Sequence, residues 1–510
     1  MPETQPRRRT RGERRIRRAP AAPAYVSRAV PFYDFLDEEQ LVRIEDQADW
    51  LIQEIGIEFR EDPVALDIWR AAGADVKETR VCLPRGMARE LCKTAPSEFV
   101  QHSRNPARSV RIGGNHQVFA PVYGAPFVRD LESGRRYGTF EDFERLVKLT
   151  YMLPSLHHSG FVTCEPCDVP VNKRHLDMLY AHMRFSEKPH LGAIVEKSRA
   201  EDSVAMAKIL HGGSEEADIS DRCYVMGNVN TNSPLMVDKV VTEAIRTYSA
   251  AGQGMIVAPF ILGGAMGPVT TAASLAQALA EGMVCGAFTQ LVKPGAPFVL
   301  GNFLSSMSLK SGAPTFGMPE PVQSNFAIGQ LARRLGVPLR CGGSLTASKI
   351  ADAQAAAESA DSMMSTALGG AHFILHGAGW LEGGLCTGYE KLLIDADRLG
   401  AYQVMLSGMA TDENAIGRHA YDDVEPAGHF LGSAHTMANY ETAFYDATMS
   451  NSDSVEQWED AGAKDTARRA YDRWNAMLAE YEVPEIDSGV DEALKDFVAR
   501  KKSEMEDAWY

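Results

Sequence analysis

The chain has 510 residues, 45% of them hydrophobic, and a formal net charge of −16, which is apolar material for one large core or two moderate ones. The acidic balance disfavours nucleic acid, and no apolar run approaches the roughly 18 to 20 residues needed to span a bilayer. Without an apolar signal region at the N-terminus the expectation is a soluble, cytoplasmic protein, a compartment that also suits eight scattered cysteines. Only Cys164-Glu-Pro-Cys167 is a close pair, and lacking a second ligand pair it reads as core packing, so no tightly bound metal is expected.

Residues 1–18 hold eight arginines and two glutamates, which leaves a formal charge of about −22 on the remainder. Residues 1–28 therefore read as a disordered Arg-rich tail, suited to solvent or a subunit contact. Residues 29–117 read as an N-terminal helical layer. Leu41, Ile44, Ala48, Leu51 and Ile55 lie at helical spacing behind Asp37, with Gln40 placed for a capping box. Further helices are expected over 64–72, closed by Gly73, and over 84–95.

From residue 118 a period of roughly 32 to 40 residues sets in. Strand-like runs begin near Val118, Gly160, His190, Cys223, Met255, Pro297, Val337 and Ala371, and a helical stretch follows each. Eight evenly spaced units predict an α/β fold closed as a (β/α)8 TIM barrel over 118–410; a doubly wound open sheet is the alternative. Residues 411–510 form a C-terminal extension packed on the barrel, with Trp458 and Trp474 as docking anchors.

Residues 341–384 organise the reading. Val337-Pro-Leu-Arg-Cys341 and Ala371-His-Phe-Ile-Leu375 flank an Ala-rich helix expected over 350–368. Glycines and chemically capable groups follow both strands: Gly342, Gly343, Ser344 and Lys349 after one, His376, Gly377, Trp380 and Glu382 after the other. In a parallel α/β protein ligands sit at such carboxyl ends. The other strand ends add Tyr123, Thr163, Glu165, Glu196, Asn228, Asn230, Phe260, Gly263, Gly264, Asn302 and Ser305. No Walker motif follows any strand, so phosphate binding is unsupported. A Ser344, His376, Asp352 triad lacks a nucleophile elbow. Lys349 as a Schiff-base lysine would make the protein a lyase or aldolase, provided the amine is desolvated.

Four segments in this order, Ile261-Leu-Gly-Gly-Ala-Met-Gly-Pro-Val-Thr270, Gly301-Asn-Phe303, Ser348-Lys-Ile-Ala-Asp-Ala-Gln354 and Gly428-His-Phe-Leu-Gly-Ser-Ala-His-Thr436, resemble the trimethylamine methyltransferase family over about residues 35–490. The resemblance implies a barrel enzyme that moves a methyl group from an amine to the cobalt of a cobalamin or partner corrinoid protein, and a homo-oligomer. Archaeal members acting on trimethylamine carry pyrrolysine in the barrel, and this sequence shows none. A quaternary ammonium already bears the charge that a tertiary amine must acquire before it gives up a methyl group. The implied substrate is thus a betaine, glycine betaine first, with proline betaine and carnitine open.

For such a substrate Tyr123, Phe260 and Trp380 are the available aromatic faces for the ammonium. His376, Asn230 and Asn302 could receive the carboxylate, His376 being the residue expected to align the substrate for transfer. Glu165 could help to neutralise the cation. Gly263, Gly264, Gly342, Gly343, Ser344 and Gly377 form the glycine-rich rim expected to face the corrinoid, since glycine permits close approach of a large ligand.

Overall fold

A computed structural model describes residues 23–509. Seven short parallel strands form its central sheet: β1 (His116–Phe119), β2 (His190–Leu191), β3 (Val225–Val229), β4 (Gly254–Val257), β5 (Phe298–Gly301), β6 (Leu339–Gly342) and β7 (Phe373–Leu375). They pair in the order β2-β3-β4-β5-β6-β7-β1, with Phe373 of β7 in register with Val118 of β1. All but His116 are buried, as expected of parallel strands covered on both faces.

Eight helices accompany them: α1 (Phe140–Met152), α2 (Arg174–Phe185), α3 (Lys197–Gly212), α4 (Lys239–Ala250), α5 (Thr271–Val292), α6 (Pro319–Leu335), α7 (Ala353–Gly369) and α8 (Tyr389–Leu406). Helix α5 is, among the described residues, long and apolar enough by composition to cross a membrane, but 89% of that apolar window is buried inside the protein. It is a core helix, flanked by α4 and α6 and by the helices Glu38–Trp50 and Met87–Cys92.

The run expected to begin a strand at Gly160 is irregular. Gly160 itself adopts φ 75°, which interrupts any ladder. The segment still bonds to both neighbours: His157 N–H to Phe119 O (2.9 Å), Ser159 N–H to Pro189 O (2.9 Å), and Leu191 N–H to Gly160 O (2.9 Å).

The N-terminal layer is not purely helical. Asp37 and Gln40 form the anticipated capping box, and the second helix is Pro63–Ala71, with Gly73 at φ 92° behind it. Between the helices, however, Ile57–Phe59, Asp75–Lys77 and Arg80–Cys82 form a small sheet with Met236–Val237 from beyond β3. Ile57-Glu-Phe59 buries alternate residues, a strand period that the longer helical pattern hides. Two more strands, Glu98–Gln101 and Val110–Gly113, lead antiparallel onto β1.

Residues 1–22, most of the expected tail, lie outside the described residues. Residues 23–28 do not behave as a tail. Val26 and Ser27 pair with β1, and Arg28 is buried, its guanidinium donating to the carbonyls of Val30, Pro31 and Ala367.

In the extension, Thr466–Glu480 packs on α8 and α1, and Ser488–Ser503 on α2 and α3. Trp474 docks as anticipated, buried with its indole N–H on Glu390 (3.0 Å). Trp458 does not dock; its indole N–H binds Lys464 O (3.0 Å) and ties its own turn.

Candidate active site

The carboxyl ends of β6 and β7 carry the centre of the site. Arg340, the fourth residue of the run read as a plain apolar strand, is 1% exposed. Among the described residues no carboxylate pairs with it. Its Nη1 donates weakly to the carbonyl of Asn302 (3.4 Å), its Nη2 lies 2.9 Å from Nε2 of His376, and its Nε has no hydrogen-bond partner among the described residues. Burial lowers its pKa to about 10, so the group is still a cation at neutral pH. A buried cation without an anion is costly in a fold that gains nothing from it.

His376 follows β7 with φ 59°, a left-handed conformation unusual for a residue with a Cβ. Its ring is 2% exposed, and burial together with Arg340 holds the imidazole well below its ordinary pKa, hence neutral. Tyr123 N–H donates to Nδ1 (3.2 Å). A backbone N–H and a guanidinium both can only donate, so the neutral ring meets a donor at each nitrogen and has one acceptor for the two. Whichever nitrogen carries the ring proton, donors outnumber acceptors around His376 and Arg340. Such a donor set suits a carboxylate.

Aromatic rings stand over this floor. Phe303 stacks on His376 (5.4 Å), the Arg340 guanidinium lies 5.0 Å from its centroid, and Phe260 meets it edge-on at 5.1 Å. Both phenylalanines are only partly buried. They lie on a short upper sheet, Phe260–Leu262 beside Phe303–Met307, that continues outward from β4 and β5. Tyr123 reaches the same region, for both Glu165 and Arg340 act on its hydroxyl; burial, with Glu165 adding to it, raises its pKa. Glu165 is half-buried, ion-paired with Arg174 (2.6 Å), and raised in pKa by burial.

Several anticipated residues sit elsewhere. Trp380 is 3% exposed, donates its indole N–H to Thr346 O (3.1 Å), and packs edge-on against His376 (4.4 Å), Phe303 and Phe316. It braces the rings of His376, Phe303 and Phe316. Asn230 is exposed, and the Asn302 carboxamide turns into α6, donating to Ser324 and Asn325. Only the Asn302 carbonyl touches the site.

The glycine-rich rim divides in two. Gly263 and Gly264 line a surface cavity of about 410 Å³ with Leu304, Ser305 and Met307. Gly342, Gly343, Ser344 and Gly377 are buried, too deep to meet a corrinoid ring. They lace the two loops together: Ser344 N–H reaches His376 O (2.9 Å), its Oγ donates to Gly377 O (2.7 Å), and a Cβ on Gly343 would come within 2.7 Å of Gly377 Cα. Helix α7 begins at Ala353, capped by Asp352, so Lys349 falls outside it. Lys349 is exposed with Nζ on Ala347 O (2.9 Å), which removes the desolvation a Schiff-base lysine needs. The Asp352 carboxylate caps that helix and accepts from Ser348, so it cannot complete a triad with His376. Among the described residues no group of three or more His, Cys, Asp or Glu could hold a metal ion.

Sequence reasoning missed Arg340 and Phe303. The signal for the first was present: one arginine inside a five-residue run whose other members are apolar.

The profile of the trimethylamine methyltransferase family matches residues 5–506. The chain belongs to the trimethylamine methyltransferase family. It is accordingly a methyltransferase, and its family relatives differ in the amine they are named for. It is 37% identical over 476 residues to a glycine betaine methyltransferase of Desulfitobacterium hafniense (strain Y51), covering 93% of this chain and 98% of that one. A trimethylamine methyltransferase of another strain of D. hafniense is 25% identical over 472 residues, 92% of this chain and 94% of that one. A proline betaine:corrinoid methyltransferase of Eubacterium limosum is 25% identical over 386 residues, 73% of this chain and 77% of that one.

Proposed function

We propose that this family member demethylates a betaine, with glycine betaine as the first choice, and passes the methyl group to a cob(I)alamin or to the corrinoid of a partner protein. The observation that carries the reading is Arg340, a buried cation lacking a carboxylate among the described residues, set beside the buried neutral His376 beneath Phe303 and Phe260. The 37% identity to a glycine betaine methyltransferase supports the same choice.

A betaine is a zwitterion, and the two ends of the site match its two ends. The carboxylate replaces the missing acceptor between Arg340 and His376, two charge-assisted or polar contacts at once. The trimethylammonium then stands against Phe260, Phe303 and Tyr123, each aromatic face contributing on the order of 0.5 to 2 kcal/mol. With the carboxylate at the floor, an N-methyl group points outward to the mouth, where a corrinoid can approach beside Gly263 and Gly264. Cobalt(I) supplies the nucleophile: the C–N bond breaks, a Co–C bond forms, and the nitrogen keeps its electron pair as a neutral tertiary amine. No proton has to move. The chain's own work is to hold the N–CH₃ bond in line and to exclude water. Trimethylamine offers neither the carboxylate nor the fixed charge.

In the same reading the seven strands and the 157–160 segment together close a (β/α)8 barrel. The backbone bonds from that segment to β1 and to β2 support the closure.

The test is direct. Purified protein, cob(I)alamin and glycine betaine should give the absorbance of methylcobalamin, while trimethylamine gives none. Methylation from trimethylamine at a comparable rate refutes the assignment.

A further inference from the structure

Asn228, on β3, is 6% exposed, and its buried side-chain oxygen Oδ1 has no hydrogen-bond partner among the described residues. Buried polar side chains are ordinarily paired. Asn302, which follows Gly301 as Asn228 follows Gly227, obeys that rule by turning its carboxamide onto Ser324 and Asn325. The Asn228 oxygen is left for something the chain does not itself supply.

The register of the sheet says which way it points. Asn228 is paired with Ile256 on β4, and Ile256 with Val299 on β5. Gly301 is two residues beyond Val299, hence on the same face, and is paired with Arg340 on β6. Asn228 and Arg340 therefore point to one side of the sheet, the side on which Arg340 meets His376. The two strands stand three apart in the order β3-β4-β5-β6, so in the closed barrel they face each other across the interior. Between them, on that same face, β4 and β5 carry Ala258 and Gly301, and a Cβ on Gly301 would come within 2.4 Å of Ala258 Cβ. No bulky side chain of these strands separates Asn228 from Arg340. Tyr123 enters from the far side: Arg340 acts on its hydroxyl, and it acts in turn on Tyr248, which donates to Ala193 O (2.8 Å) just past β2.

A betaine is charged oppositely at its two ends. Once Arg340 and His376 hold the carboxylate, the ammonium lies toward the opposite wall. Its positive charge is spread over the hydrogens of the methyl groups, which a carbonyl oxygen attracts. We propose that Asn228 is a specificity residue of this site, its carboxamide oxygen facing the N-methyl groups and favouring them over an uncharged group of the same shape. The inference rests on the betaine reading and on the closure of the barrel.

Calorimetric titration with three ligands tests it without any methyl transfer: glycine betaine, tetramethylammonium, and tert-butylacetate, in which carbon replaces the cationic nitrogen. The unaltered chain should bind glycine betaine more tightly than tert-butylacetate. Asn228→Leu should narrow that preference by about fivefold, the size of one ordinary polar contact, weaken tetramethylammonium to a similar degree, and leave tert-butylacetate unchanged. Asn228→Ala, which cannot overfill the interior, should change the three affinities in the same directions, and a thermal melt shows whether each variant is folded. Equal losses for glycine betaine and tert-butylacetate overturn the proposal, since they assign Asn228 to the carboxylate; unchanged affinities for all three ligands overturn it as well. An unaltered chain that binds tetramethylammonium but neither carboxylate ligand overturns the betaine reading alone, and weaker tetramethylammonium binding in the variants then still supports Asn228 as the contact of the ammonium.

Discussion

The Arg340 guanidinium lies 2.9 Å from Nε2 of His376, and the neutral ring has a single acceptor to offer. Tyr123 N–H occupies Nδ1, so the relationship cannot be relieved by moving the ring proton. The two strand ends are therefore held in an arrangement that the protein by itself leaves incomplete and that an anion completes.

Arg340→Met should separate function from stability. Removing a buried charge that lacks a carboxylate lowers the desolvation cost of folding, so the variant should melt at a higher temperature. Its affinity for glycine betaine should fall by about 1.5 to 3 kcal/mol, the usual worth of a hydrogen bond to a charged group. Binding of tetramethylammonium, which has no carboxylate, should change little. Calorimetric titration with both ligands and a thermal melt check all three outcomes; equal losses for the two ligands would contradict a carboxylate role.

The same pair sets a pH dependence. His376 is held neutral and Arg340 has its pKa lowered to about 10, burial being the main cause in each. Betaine affinity should therefore be flat from about pH 6.5 to 9, with no inflection near the ordinary histidine range, and should fall above about pH 10 as Arg340 loses its proton. The stability term has the opposite sign. Folding disfavours the charged Arg340, so its cost is present below about pH 10 and is relieved as pH rises from there. Titration of the dissociation constant between pH 6.5 and 10.5 reads the first of these.

Trp380→Phe keeps an aromatic ring and loses the bond to Thr346 O. Because the side chain is buried and supports Phe303 and His376, the expected result is a stability loss of about 1 to 3 kcal/mol with betaine affinity changed less than threefold. A large affinity loss at unchanged stability would restore Trp380 as a contact for the ammonium.

Acid should unfold the protein early. Burial lowers His157 and His182 to about 3 and His372 to about 4. Folded values below the unfolded value of about 6.5 mean that their contribution is whole above pH 6.5 and is lost as pH falls toward 3 to 4. Each costs about 1.4 kcal/mol per pH unit in that window, and the three together about 4 kcal/mol per unit. Against an ordinary stability of about 5 to 15 kcal/mol, unfolding by about pH 4 to 5 is expected, measurable as the melting temperature against pH.

The sequence by itself determined the periodic part of this protein. Seven of the eight strand starts and all eight helices were legible because each unit repeats a buried apolar run followed by a helix former, a pattern local in the chain. The Asp37 capping box and the Trp474 anchor were legible for the same reason. The family could also be read, from four motifs in a fixed order. What only the tertiary structure decided was which strand-end groups meet. Phe260 and Phe303 converge because a second short sheet rises from β4 and β5, and no spacing along the chain foretells that sheet. The glycines after β6 and β7 read as an open rim because strand ends are usually open, whereas here the two loops close over one another and bury them. Arg340 was passed over because an isolated arginine in an apolar strand looks like a surface residue at an edge. It becomes informative only when burial is known and the carboxylates are seen to be elsewhere, since the cost of an unpaired charge depends on its surroundings and not on its neighbours in sequence.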